Sequence, residues 1–378
     1  MTEKALHALR RKIDKLDKAL LKLLNERAAI SVEIGKLKAE SGLDICDRGR
    51  EASVFGHLAE RNLGPLTETQ INTIFHEIIM VSRELQFSQV DGAGRQAAPG
   101  PRGRLPYSLS GTTAVYGILG NPVAQSMSPL MHGVAFRQVG IDAVYLPFEV
   151  ADLKAAVSGM KALGIKGASV THPFKTQILE LIDEIDDTAQ KIGAVNTLVF
   201  GEHGIKGTNT DWVGAVKCLE TLLPIEGHQF IVLGAGGAAR AVVFGVMSKG
   251  GKVTVINRSA EKGQALAEEF DCQFASLDQI EAVQGDCLVN TTPVGMHPNV
   301  EEIPVPGEAL KGYKAVADAI YNPMKTRLLR EAEAAGCAVA SGFEMFLYQG
   351  TEQFSLWTGK EPPVALMREV VLARLQTG

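Results

Sequence analysis

At 378 residues the chain is long enough for two or three domains, each with its own core. A formal net charge of −5 gives no general reason to expect nucleic acid or an anionic membrane as a partner. The five cysteines (Cys46, Cys218, Cys272, Cys287, Cys337) are scattered, odd in number and without CxxC spacing, which argues against a disulfide framework or a zinc site and suits a reducing cytoplasm. The opening TEKALHALRRKI lacks the apolar run of a secretory signal, and no later stretch is long enough to span a bilayer. The expectation is a soluble cytoplasmic protein without a metal.

From Glu3 to about Glu40 there is no proline and a single glycine, Gly35. Leu6, Leu9, Ile13, Leu16, Leu20, Leu23 and Leu24 recur at spacings of three and four, which predicts one long amphipathic helix. So long a helix in so small a region cannot cover its own stripe and needs partners from this chain or a second copy. Shorter helices follow over 48–61 and 68–89, separated by the breaker Asn62–Pro65.

The charges on these helices are ordered. Arg27 and Lys38 are eleven residues apart, on nearly one face and roughly 16 Å apart along the axis. Arg10 points about 100° away from Arg27. Asp47, Arg50 and Glu51 share a face, as do Ser82 and Gln86. By spacing alone, a solvated face on a dimerising helical hairpin explains this pattern better than an active site does.

The segment from Ser88 to Thr112 changes the composition. It is dense in Gly, Pro, Ser and Arg, has almost no hydrophobic periodicity, and reads as a linker over 91–112. Beyond it, short apolar strands (TAVYGIL, AVYLPFE, GASVT, NTLVF) alternate with helical stretches, predicting a largely parallel sheet. A second α/β unit begins at HQFIVLGAGGAARAVVFGVMSKGGKVTVINRS. There Gly234, Gly236 and Gly237 follow a strand and open a helix, the setting in which a backbone approaches a pyrophosphate. The next strand ends in Asn257, Arg258 and Ser259 with Lys262 one turn on, a set that suits a 2′-phosphate; NADP(H) is the cofactor expected.

Polar residues before the glycine turn are ambiguous one by one. Ser126 and Ser128 precede a Pro-initiated helix, where hydroxyls commonly cap. Lys175, after Pro173, sits at an expected helix start, where the dipole disfavours a cation and so hints at function. Asn196 fits a turn, and Asp211 an N-cap.

Two resemblances change this reading. LHALRRKIDKLDKALLKLLNERAAISVEIGKLK, DRGRE and FHEIIMVSRELQ together resemble an all-helical chorismate mutase over residues 1–90. The resemblance implies a three-helix, intertwined homodimer that binds chorismate. Arg10 falls on the arginine donated by the partner subunit, Lys38 and Gln86 fall on the groups at the ether oxygen, and Arg27, Asp47, Arg50, Glu51 and Ser82 on the rest of the pocket. From about Ala114 onward, SMSP, SVTHPFK, GAVNTL, NTDWVGA, GAGGAAR, NRS, NTTPVGM, DAIYNP and GFEMFLYQG resemble shikimate dehydrogenase. That likeness implies a substrate-binding α/β sub-domain over 113–220 and 340–378, and a Rossmann-like NADP-binding sub-domain over 221–339. Ser126, Ser128, Thr171, Asn196, Tyr321 and Gln349 would bind shikimate or 3-dehydroshikimate, with Lys175 as acid/base paired to Asp211. Gly234, Ala235, Gly236, Gly237, Ala238, Asn257, Arg258, Ser259 and Lys262 would hold the cofactor, and Ala319 and Gly342 its nicotinamide side. Ser169 stands where many members have asparagine, which bears on shikimate against quinate. The reading is a bifunctional enzyme; the alternative is a dehydrogenase whose helical region only dimerises or binds an effector.

Overall fold

The computed structural model describes residues 2–41, 48–90 and 109–377. The chain divides into two compact units, Met1–Gly100 and Pro101–Gly378.

The first unit consists of α1 (Thr2–Glu40), α2 (Arg48–Arg61) and α3 (Glu68–Val90), so the helical periodicity of the sequence is realised within a residue or two. The break between α2 and α3 is built locally. Asn62 Nδ2 donates to the Leu66 carbonyl at 2.7 Å, and its Oδ1 accepts from Gly64 N at 3.0 Å. Thr67 and Gln70 then form a reciprocal box that starts α3. α3 extends to Val90, so the first residues of the low-complexity segment are helical. α1 and α3 meet at Gly35, where a Cβ would lie 2.9 Å from the Cα of Gln86. That explains the one glycine in α1. The leucine stripe stays open: Leu6, Leu9, Ile13, Leu16, Leu20 and Leu23 are 48% to 63% exposed.

The second unit is already hydrogen-bonded at Ser110, whose N donates to Thr113 Oγ1 while Thr113 Oγ1 donates to Asp142. In chain order it contains β1 (Ala114–Gly120), α4 (Ser128–Gln138), β2 (Ala143–Glu149), α5 (Leu153–Ala162), β3 (Gly167–Val170), β4 (Glu184–Ile185), α6 (Asp187–Ile192), β5 (Thr197–Gly201), β6 (Gly204–Thr208) and α7 (Asp211–Glu220). There follow β7 (Gln229–Leu233), α8 (Gly237–Ser248), β8 (Lys252–Asn257), α9 (Ala260–Glu269), β9 (Gln273–Ser276), β10 (Cys287–Asn290), β11 (Ala315–Asp318), α10 (Arg327–Ala334), β12 (Ala338–Ala340), α11 (Phe343–Thr358) and α12 (Val364–Thr377).

These strands form two six-stranded sheets. The first has the order β2-β1-β3-β5-β6-β4. It is less parallel than expected, because β5 runs antiparallel to both β3 and β6. The second, β12-β11-β10-β7-β8-β9, is parallel throughout. Its order is that of a doubly wound dinucleotide-binding sheet, with the switch point between β7 and β10. Buried strands such as QFIVL and CLVN read as apolar runs because both faces are covered. Phe230 and Val232 face one cluster, Ile231 and Leu233 the other. α11 and α12 return to the first sheet, where Phe346, Phe354, Met367 and Val371 pack with Tyr116, Met131 and Phe136. Trp357 Nε1 donates to the Leu198 carbonyl at 2.9 Å, above Gly167, where a Cβ would strike the indole.

Candidate active sites

β1 and β3 end side by side, in register at Leu119 and Val170. Asn121 N donates to the His172 carbonyl at 3.0 Å, tying together the loops that follow them. Lys175, on the second loop, precedes only a short 3-10 turn, Gln177–Leu181, and not an α-helix. The expected dipole argument therefore weakens, and a carboxylate holds the cation instead. Lys175 Nζ donates to Asp211 Oδ2 at 2.5 Å, the two side chains being 18% and 6% exposed. Asp211 is not the N-cap of α7: that residue is Thr210, and it makes no side-chain cap. The second oxygen of Asp211 accepts from Asn196 Nδ2 at 2.9 Å. The same amide nitrogen reaches Thr210 Oγ1 at 2.9 Å and Gln349 Oε1 at 3.4 Å. Lys175, Asn196, Asp211 and Gln349 are thus brought together from four segments.

Ser126 and Ser128 are not ordinary caps either. Met127 is the N-cap of α4, without a side-chain bond, and Ser126 Oγ accepts from Ser128 N at 3.2 Å. The Tyr321 hydroxyl lies against Ser126 and the main chain of Met127, and burial pushes its pKa up. Thr171, half-buried, follows β3 with its methyl over Gly120.

The structure also adds residues that the sequence did not single out. Tyr145 donates to Ser169 Oγ at 2.6 Å and lies beside Ser128, and Ser169 donates to Gln353 Oε1 at 2.8 Å. Gln353 Nε2 continues to Thr197 Oγ1 at 2.9 Å and the Asn196 carbonyl at 3.2 Å. Ser169 is therefore fully engaged within the protein. Gln349 and Gln353, four apart on α11, were a legible one-face pair. Tyr145 carried no signal, since it reads as strand filler. His132 stacks on Tyr145 at 4.6 Å with Gln353 beside it, and burial lowers its pKa to about 3.

In the second sheet the three glycines serve three purposes. Gly234 has φ +114°, and a Cβ there would meet Thr291 Oγ1 at 2.6 Å. Gly236, the N-cap of α8, faces open space. Gly237 does not: a Cβ would lie 2.8 Å from Lys175 Cβ, so its bare Cα makes room for the lysine stem. Ala235 and Ala238 flank the turn, half-buried. At the end of β8, Asn257 Nδ2 donates to the Ser259 carbonyl at 2.9 Å, and Ser259 caps α9. Arg258 and Lys262 are exposed there and form no ion pair among the described residues. With no acid at this strand end and two unspent cations, the donor set fits NADP(H). Deeper in, Asp318 accepts from Asn290 Nδ2 at 3.0 Å and Thr326 Oγ1 at 2.7 Å, and burial pushes its carboxyl up to about 6. A Cβ on Gly342 would lie 2.1 Å from the Ala319 carbonyl oxygen, so these two positions touch through backbone.

The helical unit gathers its candidates along the seam of α1 and α3. Arg27 donates to Ser82 Oγ and, at 3.5 Å, to the Ile78 carbonyl. Ser82 is buried, while Lys38 and Gln86 are half-buried, Gln86 against Gly35 one turn before Lys38. Arg50 is exposed on α2. Arg10 is exposed and roughly 25 Å along α1 from Arg27, so its own unit does not bring it to this cluster. Asp47 lies outside the described residues, and Glu51 falls in α2 with its side chain outside the description.

Comparison with known proteins matches this geometry. Residues 9–87 match the chorismate mutase type II family. Residues 118–198 match the shikimate dehydrogenase substrate-binding domain, 217–293 the shikimate/quinate 5-dehydrogenase family, and 342–372 the shikimate 5′-dehydrogenase C-terminal domain. A shikimate dehydrogenase (NADP+) of Methanothermobacter thermautotrophicus is 46% identical over 275 residues, 70% of this chain and 97% of the relative. A crystal structure of a shikimate dehydrogenase in complex with NADP+ superposes with TM-score 0.67 at 38% identity, over 72% of this chain and 99% of that one. A chorismate mutase/shikimate 5-dehydrogenase fusion protein from Clostridium acetobutylicum superposes with TM-score 0.66 at 33% identity, over 70% and 99%. The chain belongs to the shikimate dehydrogenase family and carries a chorismate mutase type II domain ahead of it.

Proposed function

We propose that the chain is a bifunctional enzyme of aromatic biosynthesis, rearranging chorismate to prephenate and interconverting 3-dehydroshikimate and shikimate with NADP(H). The observation that carries the second activity is the shielded Lys175–Asp211 pair, lying against the glycine turn through Gly237. NADPH, when bound, supplies the hydride. Lys175 holds the proton that the substrate oxygen needs as it gains charge, and takes it back in the oxidative direction. Asp211 orients Lys175 and, with Asn196 and Gln349, binds the ring hydroxyls. Ser126, Ser128, Thr171 and Tyr321 complete the substrate pocket. Ala319 and Gly342 shape the nicotinamide side, and Arg258, Ser259, Asn257 and Lys262 hold the 2′-phosphate, with Gly234, Ala235, Gly236, Gly237 and Ala238 framing the pyrophosphate turn. We assign 113–220 with 340–378 to the substrate half and 221–339 to the cofactor half, Ala340 itself pairing in the second sheet.

In the helical unit the reaction is pericyclic, so the protein's work is to hold a compact dianion and to meet charge on the ether oxygen. Arg27, with Arg50, clamps carboxylate. Lys38 and Gln86 stabilise the ether oxygen in the transition state. Glu51 and Asp47 complete the set that the family resemblance assigns to the pocket, and Ser82 steadies Arg27. A homodimer formed through the open leucine face of α1 supplies Arg10 from the second copy. The unpaired cysteines among the described residues fit a cytoplasmic setting. Assay of the intact chain with chorismate, and separately with shikimate plus NADP+ or NAD+, tests both halves: both reactions are expected, the second with NADP+ preferred. Chorismate turnover without NADP+-dependent oxidation of shikimate would remove the second assignment; the reverse would leave α1–α3 as a dimerising module.

A further inference from the structure

Lys175 and Asp211 come from loops 36 residues apart, and one short buried segment holds both. In residues 192–196, the Ala194 carbonyl accepts from Asn209 Nδ2 at 2.8 Å, and Asn209 Oδ1 accepts from Asp211 N at 2.9 Å. Val195 N donates to the Lys175 carbonyl at 2.8 Å, and Asn196 Nδ2 donates to Asp211 Oδ1 at 2.9 Å. The segment is a strap in which three consecutive residues, Ala194, Val195 and Asn196, are tied to the catalytic pair, Ala194 by way of Asn209.

The end of this strap is anchored from the cofactor half. Arg240, on the second turn of α8, donates through Nε to the Ile192 carbonyl at 2.6 Å. That carbonyl closes α6, where the last carbonyls lack helical partners and favour a cation. Gly193, left-handed at φ 67°, leaves its Cα bare beneath the guanidinium; a Cβ would lie 2.2 Å from Arg240 Nη2. The other arm of the fork pairs with Glu269 at the end of α9. Ile192 and Ala194 pack on Ala241 of α8, flanked by Trp212 and Phe244.

Resting on the dehydrogenase assignment above, we propose that Arg240 is a positioning residue for hydride transfer: it sets the strap, and through it Lys175 and Asp211, against the helix that opens the cofactor turn. Gly237, three residues earlier on the same helix, touches the Lys175 stem directly. α8 therefore registers the catalytic pair at two points, once on the side chain and once on the strap. An arginine serves because its planar fork sends separate donors to a carbonyl and a carboxylate in fixed directions, whereas a lysine offers one flexible point charge.

The test uses the full chain with Arg240→Met and Arg240→Lys, and Lys175→Ala alongside. Misplacement of this kind costs up to about 100-fold in rate. Arg240→Met is expected to lower the dehydrogenase kcat about 10- to 100-fold, with KM for NADP+ within about threefold. The primary isotope effect on shikimate deuterated at the oxidised carbon should rise, because the chemical step becomes limiting. Arg240→Lys, which keeps the charge but not the directed fork, should recover only part of the loss, leaving kcat about threefold or more below wild type with a raised isotope effect, and so decides the matter if Arg240→Met does not fold. Emission from Trp212, which meets Phe244 of α8 edge-on at 5.6 Å, should change in the ligand-free Arg240→Met protein while chorismate turnover stays constant. Wild-type kcat and isotope effect in both Arg240 variants, with Lys175→Ala inactive, overturns the proposal and leaves the site standing. Retention of the rate by Lys175→Ala overturns both.

Discussion

The two units of this chain solve the same burial problem in opposite ways. In the α/β unit each sheet face is covered by helices of that unit, and Ile231, Val232 and Leu288 are inaccessible. In the helical unit α1 meets α3 closely around Gly35, yet its N-terminal two-thirds shows a run of leucines to solvent. At about 25 cal/mol per Å² of apolar surface, such a face stabilises little until something covers it. An amphipathic pattern thus states what must be buried but not by which chain.

The sharpest way to break this comparison is to disable each unit separately. Lys175→Ala is expected to cost the dehydrogenase about 10²- to 10⁴-fold in kcat without touching chorismate turnover. Lys38→Ala should do the converse, by about 10²- to 10³-fold. Steady-state assays of both reactions on each variant show whether the losses cross over. Charges placed on the open stripe, as in Leu16→Glu with Leu20→Glu, should convert the proposed dimer to monomer in sedimentation velocity. With Arg10 no longer supplied by a second copy, chorismate turnover should fall tenfold or more while the dehydrogenase rate holds. A protein still dimeric after this change would move the interface elsewhere.

Smaller effects probe the α/β unit alone. Removing the Arg258 guanidinium in Arg258→Ala should raise KM for NADP+ about 10- to 100-fold and leave the NAD+ reaction unchanged, the loss of one or two charge-assisted hydrogen bonds. His132 gives a pH signature. Its folded pKa, about 3, lies below the unfolded 6.5, so the unfolded chain binds the extra proton between these values. Stability should then fall as pH drops below about 6.5, by up to about 1.4 kcal/mol per unit from this group. His132→Leu should flatten that part of the urea-unfolding profile, whereas an unchanged acid slope would exclude the histidine as its source. The smallest effect is expected from cleavage within 91–108: two pieces that separate and keep their activities, because shikimate and chorismate are not consecutive intermediates and no hand-over is needed.

Much of the frame was legible in the sequence because its signals are local. Helix ends follow from cap chemistry, as in the Thr67–Gln70 box, and the parallel strands around the glycine turn follow from apolar runs and spacing. The direction of β5 was not, since a short apolar run reads the same in either orientation and only its pairing with β3 and β6 settles it. Site residues were legible chiefly as family positions. Nothing in SVTHPFK or NTDWVGA announces that Lys175 and Asp211 meet at 2.5 Å. Tyr145 and Arg240 were invisible for the same reason: a tyrosine in a strand and an arginine in a helix need no explanation until the structure shows what they touch. Gly237 shows the limit of such a reading, because a glycine records that something comes close but not what, and here the Lys175 stem is close.

The return of α11 and α12 to the first sheet has a consequence for synthesis. Residues 343–377 are made after every strand they cover, and they carry Gln349, Gln353 and half of the cluster around Phe136. During translation α1–α3 are complete long before, free to pair with another nascent chain. The substrate half, begun next, keeps Tyr116, Met131 and Phe136 bare until the last helices leave the ribosome. The part of the molecule begun second is finished last, and its apolar surface waits on those helices.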